Sequence, residues 1–93
     1  MKTNPEHKKI TNDILGKYYK DKYENIYFYI SKIGKYGPIA TVLWPESSQR
    51  NHPIDYDNLD NWCDNMDYLV EISAKEYYKV LYDILNKIGL KVK

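Results

Sequence analysis

Five aspartates and three asparagines stand among aromatic residues, without a single Lys or Arg, in the stretch DYDNLDNWCDNMDYL at residues 55–69. Carboxylates at that density could ligate a cation, move protons or face a basic surface. A calcium loop requires acids at positions 1, 3 and 5, Gly at 6 and Glu at 12. Counted from Asp55, the chain sets Leu59 at position 5, Asp60 at 6 and Met66 at 12, so that motif fails. A looser set of His52, Asp55 and Asp57 lacks an i, i+4 histidine pair and reads as a solvated segment start.

Nucleophilic chemistry has three candidates, Cys63, Ser47 and Ser48, each with His52 as its base. None has a supporting motif around it. Cys63 falls on the apolar stripe of its own segment, where an unactivated thiol facing the core is the ordinary outcome. No Gly-rich phosphate loop occurs, and His7 sits among lysines as a solvated side chain. The sequence therefore predicts no enzyme, with no catalytic residue, cofactor or metal assigned.

Two binding surfaces remain. The first is acidic and aromatic: Asp55, Tyr56, Asp57, Asp60, Trp62, Asp64 and Asp67. Regularly spaced carboxylates can imitate nucleic-acid phosphates and complement a basic groove, with aromatic side chains as anchors. The bland alternative is a face that only confers solubility. The second surface is basic: Lys8, Lys9, Lys17, Tyr18, Lys20, Lys35 and Tyr36 could neutralise phosphates and stack bases. With one arginine in the chain, base-specific reading by that surface is not expected.

These side chains need elements to hold them. NPEHKKITNDILGKYYK reads as an N-terminal helix over about residues 5–19, with Asn4 as cap, Pro5 at the first position and a thin stripe of Ile10, Ile14, Leu15 and Tyr18. NIYFYISKI, GKYG and PIATVLW give a hairpin over 25–44, followed by a loop over 45–54 bracketed by prolines. Tyr56, Leu59, Trp62, Cys63, Met66 and Leu69 recur every three to four residues, which predicts a short acidic helix over 56–66. YLVEIS predicts a strand over 68–73. Ser73 with Glu76 then opens a C-terminal helix over 74–88 that closes at Gly89 and Leu90. The expected fold is a small single α+β domain over 1–93, α-β-β-α-β-α, whose three-stranded, mainly antiparallel sheet is covered on one face by the C-terminal helix.

Composition narrows the class. Ninety-three residues support one modest core, folding alone or as a homodimer. Tyr, Lys, Ile and Asn are abundant, which points to A/T-rich coding, and the 11 tyrosines exceed what that bias explains. One cysteine excludes an intramolecular disulfide and fits a reducing compartment. No signal-peptide core and no run approaching a membrane span are visible, so a cytoplasmic protein without a membrane partner is expected. The net charge of +1 conceals blocks of opposite sign: residues 1–35 are basic, 36–72 acidic and 73–93 basic.

The expected function is a non-enzymatic protein-interaction module. It would occupy a basic, nucleic-acid-binding surface of a partner such as a nuclease or defence complex, in the manner of a small phage-type, anti-CRISPR-like or immunity-like inhibitor. Nonspecific nucleic-acid binding through the lysine and tyrosine residues is the alternative.

Overall fold

The β-branched and aromatic runs of this chain assemble into one sheet in the computed structural model, which describes residues 9–46 and 53–87. Its strands are β1 (Tyr18–Asp21), β2 (Tyr27–Gly34), β3 (Gly37–Leu43), β4 (Ile54–Asn58) and β5 (Leu69–Ile72), with one helix, α1 (Ala74–Lys87), among the described residues. The strand order is β4-β3-β2-β1-β5, and every neighbouring pair is antiparallel. The fold remains α+β. The three-stranded sheet with three helices is overturned in favour of five strands.

The N-terminal helix expected over 5–19 is absent from its described part. A single 3-10 turn, Asn12–Ile14, is followed by Gly16 at φ +83°, a left-handed conformation that ends any helix. Tyr18–Asp21 then extends as a strand between β2 and β5. The helical spacing of Ile14, Leu15 and Tyr18 was coincidental: Ile14 is buried, Leu15 is 54% exposed, and Tyr18 lies on the other face of the sheet from Ile14. Residues 5–8 lie outside the described residues.

Of the loop expected over 45–54, residues 47–52 lie outside the described residues and Ile54 already opens β4, an edge strand of composition IDYDN that β-propensity alone does not single out. The acidic helix expected over 56–66 is replaced by the end of β4, a 3-10 turn at Leu59–Asn61 and a second at Met66–Tyr68. Asp and Asn side chains compete for backbone groups here. Asp57 accepts from the amide of Asn58 at 2.8 Å and from the Asn61 carboxamide at 2.9 Å, and Asn65 accepts from the amide of Asp67 at 2.9 Å. Each such bond favours a turn over a continuing helix.

The connection from β4 to β5 must cross the whole sheet. Four strand spacings amount to about 19 Å, well within the roughly 33 Å that ten extended residues could span, so residues 59–68 have slack to fold into two turns. They cross over one face. Leu59 and Cys63 are buried with Tyr19, Phe28, Ile30, Ala40, Val42 and Leu69, while Trp62 and Met66 pack against that cluster. The complete burial of Phe28, Ile30 and Val42 stabilises the fold by roughly 1.5–3 kcal/mol per side chain before conformational entropy is counted.

On the opposite face, α1 lays Tyr77 and Ile84 over Tyr18, Tyr27, Tyr29 and Leu43. Ser73 caps the helix by accepting the amide of Glu76 at 3.1 Å. Tyr77 donates its hydroxyl to the carbonyl of Thr41 at 3.0 Å, tying the helix to β3. Residue 88, with Gly89 and Leu90, lies outside the described residues. Among the described residues no helix is long and apolar enough to cross a membrane.

Candidate interaction surface

Residues 59–68 have an inner and an outer side because their apolar and acidic positions alternate in groups. Leu59 and Cys63 are buried and Trp62 and Met66 half-buried, whereas Asp60, Asn61, Asp64, Asp67 and Tyr68 are exposed. Trp62 anchors the inner side. Its ring meets Phe28 at a centroid distance of 6.1 Å and Trp44 at 5.9 Å, both edge-to-face. Its indole N–H is buried and has no hydrogen-bond partner among the described residues. The carboxylates are thereby presented outward from a segment fixed to the core.

Asp60, Asp64, Trp62, Cys63 and Tyr68 line a cleft of about 210 Å³ together with Asp21 from the end of β1. Asp21 is 8% exposed and accepts the amides of Tyr23 and Glu24 at 2.8 and 3.0 Å, so its charge is held by the β1–β2 turn. Tyr23, 76% exposed, meets Tyr68 edge-to-face at 6.3 Å. The β1–β2 turn thus adds an aromatic pair and a fourth carboxylate to Asp60, Asp64 and Asp67. Sequence spacing could not have associated Asp21 with Asp60, because only the crossing of the chain over the sheet does so.

Among the described residues, no ion pair engages Asp55, Asp57, Asp60 or Asp64. Burial pushes the Cys63 thiol up to about 11, and Asp21, Asp64 and Asp60 push it the same way. A thiol so placed stays protonated near neutrality, the reverse of what a nucleophile requires. Among the described residues, no group of three or more His, Cys, Asp or Glu side chains is placed to hold a metal ion. His52, Ser47, Ser48 and His7 lie outside the described residues.

The fold separates the acidic residues that the sequence grouped. Asp60, Asp64 and Asp67 share the outer side. Asp55 and Asp57 lie on β4, on the same sheet face as their partners Val42 and Ala40. They have local duties: Asp55 accepts the amide of Tyr56 and Asp57 that of Asn58, each at 2.8 Å. Tyr56 pairs with Thr41 and points to the opposite face. Trp62 turns inward, so it supports the surface without being one of its contacts.

The basic residues are more widely dispersed. Lys9 and Lys17 line a second cleft, beside Tyr19 on the face crossed by residues 59–68. Tyr18 and Lys20 lie on the helix-covered face, where Tyr18 stacks on Tyr29 at 4.7 Å and Lys20 sits over Tyr27 at 5.8 Å. Lys35 and Tyr36 are at the tip of the β2–β3 hairpin, where Lys35 lies 5.7 Å from the Tyr36 ring. No single face collects them, and Lys8 lies outside the described residues.

Comparison with known proteins finds no matching family model, no matching curated protein and no matching solved structure.

Proposed function

We propose that this protein acts by binding, without catalysis, and that the outer side of residues 59–68 with the β1–β2 turn docks on a basic surface of another protein. The observation that carries the reading is the exposed set Asp60 and Asp64 above Asp21, beside Tyr23 and Tyr68, with no described lysine paired to Asp60 or Asp64. Residues 53–74 contain six acids and neither Lys nor Arg, which concentrates negative potential on the region. Such a field accelerates encounter with a cationic partner and disfavours anionic ones. The Trp62 anchor keeps the carboxylates in place before binding, which limits the ordering cost of association.

The partner's basic surface in this reading is one that otherwise holds nucleic acid, because clustered carboxylates offer negative charge where phosphates would. This is the profile of a small inhibitor of a nuclease or a nucleic-acid-guided complex, acting in the cytoplasm. The test is competition. A captured partner should lose its bound nucleic acid as the natural protein is titrated in, and should keep it when the Asp60→Asn, Asp64→Asn variant is titrated instead. Retention of nucleic acid alongside the natural protein would mean that the two do not share a surface.

A further inference from the structure

The two edges of the sheet are finished differently. In an antiparallel ladder, residues alternate between those bonded to the neighbouring strand and those whose N–H and C=O point away. On β4, the bond from the Trp44 amide to the Pro53 carbonyl sets the phase, leaving Ile54, Tyr56 and Asn58 pointing outward. The amides of Tyr56 and Asn58 are already bonded, to the carboxylates of Asp55 and Asp57 at 2.8 Å. Two of the three outward amides of that edge are thus occupied by side chains, one of the ways natural sheets guard their edges.

On β5, the bond from the Lys22 amide to the Tyr68 carbonyl sets the phase, so Leu69 and Glu71 point outward. The Leu69 amide turns back to the carbonyl of Met66. The Glu71 amide and carbonyl and the Leu69 carbonyl have no such local partner among the described residues. Glu71 is exposed, and Val70 beside it is 47% exposed. A cleft of about 460 Å³ adjoins this edge, where Ile14, Tyr19, Met66 and Leu69 form an apolar part rimmed by Lys9, Asp13, Lys17 and Glu71.

We propose that β5 receives an extended segment of a partner protein as a sixth, antiparallel strand. Main-chain bonds to Glu71 and Leu69 would supply affinity, and the adjoining cleft would supply side-chain selectivity. Directly opposed residues share a face, so the partner residues facing Glu71 and Leu69 both lie on the cleft side. Opposite Glu71, whose carboxylate has no described partner, a Lys or Arg is complementary; opposite Leu69, a large apolar side chain enters the cleft. In antiparallel direction the segment reads basic, any residue, large apolar. This site uses residues other than the acidic outer side and stands or falls independently of it.

A displayed library of random decapeptides, selected against the immobilised full chain, tests the proposal. Enrichment of the basic-x-apolar order is expected. The best peptide should slow amide exchange at Glu71 by about tenfold or more at saturation, and methylating the peptide nitrogen that faces Glu71 should weaken binding by roughly tenfold. Glu71→Lys, on an exposed edge, should shift selection to acidic-x-apolar. Absence of an enriched motif would overturn the proposal. So would a Glu71 amide already protected without peptide: dependence on protein concentration would assign the edge to a second copy, and independence would assign it to other residues of the same chain.

Discussion

The ring of Trp62 stands edge-on to Phe28, 6.1 Å between centroids, and through this contact the segment that crosses the sheet becomes part of the core. The acidic positions on either side, Asp60 and Asp64, face away from it. Replacing Trp62 with Ala should therefore act twice. Stability should fall by about 3 kcal/mol, as for other large aromatic truncations, measured by urea denaturation. Amide exchange over residues 59–68 should also accelerate more than in the strands, since the anchor is local.

Asp57 separates charge from hydrogen bonding. Its Oδ1 accepts from both Asn58 and Asn61. Asp57→Asn keeps an acceptor and should change stability by less than about 0.5 kcal/mol, whereas Asp57→Ala should cost about 1 kcal/mol or more. Changing Asp55 and Asp57 together to Ala also uncaps the outward amides of Tyr56 and Asn58 on β4. That double variant should self-associate in light scattering at concentrations where the natural protein does not.

Cys63 should behave as a core residue. With its thiol raised to about 11 by burial and neighbouring carboxylates, alkylation by iodoacetamide at pH 7.5 should be limited by unfolding of the protein. The labelling rate should rise in parallel with urea concentration through the unfolding transition. Fast labelling in native buffer would contradict the burial that the structure assigns to this side chain.

The tyrosine cluster predicts alkaline sensitivity. The hydrogen bond with Tyr78, then burial, raises Tyr18 from 10.0 to about 12, and burial raises Tyr77 as well. A phenol raised in the folded state contributes stability that is complete below the unfolded value near 10 and is lost as pH climbs through the folded value. Urea midpoints should thus decline between pH 10 and about 12 from these groups, and Cys63 adds the same sign from 9.0 to about 11. Tyr77→Phe should flatten the decline while costing about 1 kcal/mol at neutral pH through loss of the Thr41 bond.

Local pattern was legible where one element carries its own signal. The β-branched run in β2 and β3 around the turn at Lys35 and Tyr36, and the Ser73 cap ahead of Tyr77 and Ile84 in α1, depend on neighbours in sequence. β1 was hidden because Ile10, Ile14 and Tyr18 mimic a helical stripe, and only the sheet makes Tyr18–Asp21 a strand between β2 and β5. β4 was hidden because Asp55 and Asp57 are poor strand formers, present here to bond edge amides. In residues 55–69 the three-to-four-residue period marked the inner side at Leu59, Trp62, Cys63, Met66 and Leu69 but not at Tyr56, which is exposed on the opposite face, and a crossing connection can satisfy that period without a helix. The outward position of Asp60 and Asp64 followed from the same pattern. The addition of Asp21 and Tyr23 required the fold.

The most direct test of the binding account is parallel affinity capture from a bacterial lysate, using the natural protein and the Asp60→Asn, Asp64→Asn variant after circular dichroism shows both folded. The account predicts a protein retained by the natural form, released as salt rises from about 0.1 to about 1 M with the shortening Debye length, and missing from the variant. Equal retention by both forms, or recovery of nucleic acid in place of a protein, would contradict it.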